Sequence, residues 1–188
     1  VRNKPFYCIF CIKYRDLSLN IVNPMNQSSI IKSTQIGLDE ENRLGSADIL
    51  NKLLSDEYVL YTKTRNYHWN VTGRDFNQLH KFFEEQYTQL DAIIDEVAER
   101  VRALGYYSFG TLEQFRQTAR LKEQTGDIPP AEQMLNKLLA DHETIIRQLR
   151  EDLRVSNDQY NDAGTSDFLT GLMEQHEKMA WMIRAHLQ

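Results

Sequence analysis

The chain has almost no cysteine. Its only two, Cys8 and Cys11, stand close together in "CIFC" near the start. Disulfides therefore cannot hold the rest of the chain together. A lone C-x-x-C, with no second pair and no strand–helix pattern around it, points to neither a zinc site nor a thioredoxin fold. Proline and glycine are scarce, four and eight in 188 residues, which leaves room for long helices. No apolar run approaches the ~20 residues that a membrane span needs. No β pattern and no solenoid-type repeat is visible. Also missing is any Glu-x-x-His, the motif that builds a di-metal centre inside one four-helix bundle.

Charge of one sign is scarce at the start and abundant afterwards. Residues 1–36 hold Arg2, Lys4, Lys13, Arg15 and Lys32 against Asp16, a balance of +4, so the remainder carries −9 of the net −5. A basic tail can contact nucleic acid; five charges also suit a merely solvated tail. Val1 opens the chain and "MNQSSIIKS" begins at Met25. The stretch from Pro5 to Ile12 is too short, and too poorly followed by a cleavage site, for a signal peptide. Translation is expected to start at Met25, with residues 1–24 a start-site artefact. The expected organisation is a tail over 1–45 and one helical domain over 46–188.

What is abundant is helical periodicity. The first long helix is expected from about Ser46 to Val71, with Leu50, Leu54, Tyr61 and His68 near one face. "TGRD" breaks it, with Gly73 as the turn residue. A second helix runs from about Asp75 to Leu104, with an apolar stripe from Leu79 to Leu104, and Gly105 ends it. The segment 106–130 is a long connection. Within it Thr111-x-x-Gln114 reads as a capping box opening a short helix, and "GDIPP" stops it. A third long helix spans about Ala131 to Val155, and a fourth starts near Thr165 and runs to the end. The fold class is therefore all-α: a ferritin-like four-helix bundle with a short extra helix in the long connection between helices 2 and 3. The short links make two antiparallel pairs, and the long connection makes helices 2 and 3 parallel.

The second helix carries ligand-type residues away from its apolar stripe. His80 and Glu84 stand one turn apart near its start, and Asp95 and Glu99 one turn apart near its end. Side chains at i and i+4 converge, which suits a shared metal ion. Asp91 on the same stripe reads as a solvated acid. His68, at the end of helix 1, can reach the neighbourhood of His80 across the tight turn. Imidazole with carboxylate suits iron, manganese or zinc. The two pairs, however, are separated by roughly 22 Å along the helix. One ion cannot touch both. An antiparallel copy of helix 2 across a two-fold axis would bring Asp95 and Glu99 of one chain to His80 and Glu84 of the other, giving two shared sites per dimer.

The stretch "NYHWNVTGRDFNQLH", followed by "DEVAERVRALG", resembles the Dps family of miniferritins, which protect bacterial DNA. The resemblance extends from about Ala47 to Gln188 and includes "ADHETIIRQLR" and "GTSDFLTGLMEQHEKMAWMIRAHL". His68-x11-His80 with Asp95-x3-Glu99 is its specific signature. The resemblance implies a hollow, bacterial, cytoplasmic dodecamer built from two-fold dimers. It implies a ferroxidase, an oxidoreductase that oxidises Fe(II), preferentially with hydrogen peroxide, and stores ferric mineral while protecting DNA. Carried over by position, the two-fold di-iron site takes His68, His80 and Glu84 from one chain and Asp95 and Glu99 from its partner. Glu84 stands where some members have Asp, a departure that bears on the second iron position. Trp69 matches a Trp beside the family's site, a candidate quencher of oxidising radicals or simply an interface aromatic. In "NDAGTSD", Asp162 and Asp167 match acids lining iron-entry channels; Asp167 also suits a role at a helix start. The alternative reading is a DNA-compacting protein with little catalysis. It is disfavoured by the single base, Lys32, between Met25 and Ile36 and by a C-terminus, "RAHLQ", with no basic extension.

Overall fold

The computed structural model describes residues 34–126 and 128–188. Cys8, Cys11, Met25 and the bases from Arg2 to Lys32 lie outside the described residues. Five helices follow one another: α1 (Glu40–Asn70), α2 (Phe76–Ala103), α3 (Leu112–Thr118), α4 (Ala131–Asp158) and α5 (Ala163–Ala185). α1 packs on α2 and α4 packs on α5, with α1 also meeting α3 and α4. Lys63 pairs with Asp141, while Asp56 and Asp152 share Arg120. Rising numbers on α1 thus meet falling numbers on α4. α1 runs antiparallel to both α2 and α4, so α2 and α4 are parallel. This is the ferritin-like arrangement, with α3 inside the long connection.

The apolar periods explain the packing. On α2, Leu79, Phe82, Phe83, Leu90, Ile93, Ile94, Val97 and Val101 are all buried. Leu138, Ile145 and Leu149 of α4 meet the same core, as do Leu169, Leu172 and Ile183 of α5. Burying each such side chain contributes roughly 1.5–3 kcal/mol before entropy is charged against it. Gly105 follows the C-cap Leu104 of α2, and its φ of +91° suits the left-handed turn after a helix. The short helix has its capping box: the Gln114 amide donates to Thr111 Oγ1, and the Thr111 amide donates to Gln114 Oε1.

α1 begins at Glu40, ahead of the expected Ser46. "ENRLGS" contains Gly45, a weak helix former, and local propensity alone would exclude it. Tertiary contacts override that preference. Arg43 donates to the Leu104 carbonyl at the end of α2 (3.0 Å), and Tyr106 donates from its hydroxyl to the Glu40 carbonyl (3.1 Å). Gly45 itself lies flat against the Tyr160 ring, where an added Cβ would sit 2.2 Å from a ring carbon.

α1 is also the polar helix of the bundle. Asp56, only 1% exposed, accepts from the Arg120 and Leu121 amides (2.6 and 2.9 Å) and from Arg120 Nε (2.7 Å). Arg120 reaches on to Gln148 and Asp152 of α4. One buried carboxylate therefore fixes the connection that follows α3.

Candidate metal centre

His68 lies in the last turn of α1 and His80 in the second turn of α2. The tight link through Gly73 folds them face to face. Their rings stack with centroids 3.8 Å apart. Each ring bonds the other residue's backbone: His68 Nδ1 to the His80 carbonyl (2.8 Å) and His80 Nδ1 to the His68 carbonyl (2.9 Å). A carbonyl only accepts, so both Nδ1 atoms carry the proton. In the neutral rings, both Nε2 atoms then present a lone pair. Backbone partners of this kind orient metal-binding imidazoles and select their tautomer.

Glu84 follows one turn after His80 and is exposed, as are Asp95 and Glu99. No ion pair among the described residues holds any of the three carboxylates. Among the described residues of a single chain, no three His, Cys, Asp or Glu side chains gather as a metal-binding group. The fold therefore brings His68 to His80. Glu84 stays on their helix face, and Asp95 and Glu99 remain further along α2.

Aromatic side chains surround the imidazoles. Tyr87 stands edge-on to His68 with centroids 5.2 Å apart, and Phe76 lies 5.3 Å from His80. Arg65 donates to the Tyr61 hydroxyl and covers the rings of Tyr61, Tyr87 and Trp69. Trp69 is 65% exposed and Phe76 46% exposed, so this end of the α1–α2 pair presents apolar surface beside its ligand-type residues. Further along α2, Leu54, Tyr58, Asp91, Asp95, Phe109 and Phe115 line an open groove.

The two loop acids differ sharply. Asp162 is 2% exposed and caps α5, accepting from the Thr165 amide (2.9 Å) and hydroxyl (2.6 Å). Arg100 completes its shell at 3.2 Å. With both oxygens occupied, this carboxylate serves as a helix cap rather than a free channel-lining acid. Asp167 is exposed and lies beyond the first turn of α5, which weakens its alternative role at the helix dipole.

Several buried polar residues carry no motif that a reading of the sequence could seize. Glu57, His142 and His176 are each fully buried at the bundle centre. Each occupies a place in its helix's apolar stripe, and only that interruption hints at them. Asp141 is pushed above the usual carboxylate range by burial, against the pull of Lys63 at 2.5 Å. The Tyr67 hydroxyl is pushed up to about 12, first by burial and then by Asp141.

Comparison with known proteins agrees with this architecture. The ferritin-like domain family model matches residues 47–188. An uncharacterized low temperature-induced protein of Nostoc sp. is 50% identical over 153 residues, covering 81% of this chain and 86% of the relative. The DNA protection during starvation protein 2 of Bacillus anthracis is 37% identical over 141 residues, covering 74% and 94%. The crystal structure of the Dps protein from Vibrio cholerae O1, described as a member of a broad superfamily of ferritin-like diiron-carboxylate proteins, superposes with a TM-score of 0.77. It is 33% identical and covers 84% of this chain and 99% of its own. With a ferritin-like bundle, paired imidazoles at the α1–α2 turn and these relatives, the chain belongs to the Dps family.

Proposed function

We propose that this protein is a ferroxidase that oxidises Fe(II) with hydrogen peroxide and stores the ferric product inside a dodecameric cage. The observation that carries this reading is the reciprocal bonding of His68 and His80. It leaves both Nε2 atoms free of these backbone bonds, on stacked rings at the turn between α1 and α2. Iron here is substrate and cargo. His68, His80 and Glu84 of one chain bind it together with Asp95 and Glu99 of a two-fold partner, in a di-iron site. The exposed Trp69 and Phe76 beside the imidazoles support an interface at this end.

The chemistry follows from the ligands. Carboxylates stabilise Fe(III) more than Fe(II), which favours loss of an electron. Two irons held together give peroxide two electrons at one place, so hydroxyl radical is not released. Trp69 is a reserve electron donor for oxidants that escape. Asp167 concentrates cations at the entry channel through its charge. Removing Fe(II) and peroxide protects DNA without direct binding. The working compartment is the bacterial cytoplasm. No helix of the described residues is long and apolar enough to cross a membrane.

The decisive experiment is anaerobic Fe(II) loading followed by peroxide or oxygen, with particle size measured alongside. Fast oxidation by peroxide in a cage-sized particle is expected. The His80→Ala, Glu99→Gln double variant should lose the fast phase and keep the cage. Unchanged kinetics in that variant, or a monomeric particle, would refute the reading.

A further inference from the structure

Three helices each bring a fully buried ionisable side chain to the bundle centre: Glu57 on α1, His142 on α4 and His176 on α5. All three are 0% exposed. His142 Nδ1 and His176 Nδ1 lie 3.0 Å apart, and His176 Nε2 lies 2.9 Å from Glu57 Oε1. The second contact is a charge contact off the hydrogen-bond line, since neither atom has an aligned partner. Glu57 Oε2 and His142 Nε2 have no hydrogen-bond partner among the described residues. The three side chains thus form a polar bridge across the core. It joins the α1–α2 pair to the α4–α5 pair.

Proton counting sets the bridge's capacity. Two Nδ1 atoms at hydrogen-bond distance need one donor and one acceptor. One ring must therefore lack a proton on Nδ1. When Nδ1 of His176 is the donor, the same ring faces Glu57 with Nε2. His142 must then keep Nδ1 bare. Charging both rings would set two N–H groups against each other and break the 3.0 Å contact.

We propose that Glu57, His176 and His142 form an acid-sensitive latch, which ties the two helix pairs together near neutral pH and opens when a second proton enters the imidazole pair. Burial, and next the neighbouring His176, hold the His142 ring well below its ordinary value and therefore neutral. The sign follows from that depression. The unfolded ring takes up a proton at about pH 6.5 while the folded one resists. The stabilisation is complete above that pH and is lost as the pH falls.

The surrounding charges are tied to partners outside the bridge, and the Asp141 carboxyl is raised by burial rather than depressed, so its protonation does not remove stability as the pH falls. On α1, Arg43 and Asp56 are bound to the Leu104 carbonyl and to Arg120, and Lys63 is bound to Asp141 of α4. Tyr67 of α1 stays protonated, α2 contributes the neutral Gln86, and on α5 His176 is the one buried ionisable side chain within the described helix.

The test uses the full chain in its assembled form. Solid-state 15N NMR of histidine-labelled protein should show one protonated and one bare Nδ1 in the buried pair at pH 7.5, and loss of that pairing at pH 5. A pairing that is unchanged at pH 5 overturns the latch. In parallel, the thermal midpoint is followed over the same range for the native chain and for the triple variant Glu57→Leu, His142→Leu, His176→Leu. The native midpoint should fall further than the variant's. Parallel declines overturn the proposal. If the variant does not fold, the NMR measurement on the native chain decides.

Discussion

His68 and His80 each use one ring nitrogen on the other's backbone, so the fold itself sets their orientation. Asp162 illustrates the opposite fate for an acid: its oxygens are consumed by Thr165 and Arg100. Replacing it with alanine removes a helix cap and leaves Arg100 without its carboxylate. Asp162→Ala is expected to destabilise the fold by about 1–2 kcal/mol in urea unfolding. Iron uptake per cage that survives this change would place the entry acids elsewhere, with Asp167 the first to examine by Asp167→Asn. The two residues stand five positions apart, one at the cap of α5 and the other within it. Only a carboxylate's neighbours decide whether it caps a helix or meets an ion.

At the scale of elements, the helices depend on how their ends and connections are tied. Gly105 has φ of +91°, and a Cβ there would come within 2.3 Å of Thr34 Oγ1. Gly105→Ala should cost about 1 kcal/mol or more, read as a lower denaturant midpoint. Asp56 anchors the segment after α3, and Asp56→Asn would remove the buried carboxylate that accepts from the Arg120 and Leu121 amides and from Arg120 Nε, leaving Arg120 only Asp152 as an anionic partner. A loss of about 3 kcal/mol is expected. Hydrogen exchange should rise first in the segment following α3; a rise confined to the ends of α1 would contradict this anchoring role. The long helices and the capping box of α3 were legible because apolar period and end residues agree. The start of α1 was not, since residues 40–45 fold against Leu104, Tyr106 and Tyr160, far away in sequence.

At the scale of the whole molecule, the two half-sites proposed on α2 make a prediction that no single-chain site shares. His80→Ala and Glu99→Gln chains should each be inactive alone. Refolded together, a mixed dimer keeps one intact site, formed by His80 of one chain and Glu99 of the other. With random pairing about a quarter of the sites recover, and peroxide-driven Fe(II) oxidation should recover to match. No recovery, from mixed cages of normal size, would mean that the ligands do not come from two chains.

The sequence by itself determined the helix count, the two antiparallel pairs and the ligand-type residues of the α1–α2 end. These depend on local period, on turn residues and on spacing along a single helix. Tertiary structure alone decided how the imidazoles bond each other's backbone, that Asp162 is a buried cap, and that Glu57, His142 and His176 meet. The last three lie on three helices and share no motif. Their meeting depends on the register in which the helices pack, which is set by the sum of many apolar contacts rather than by any one residue.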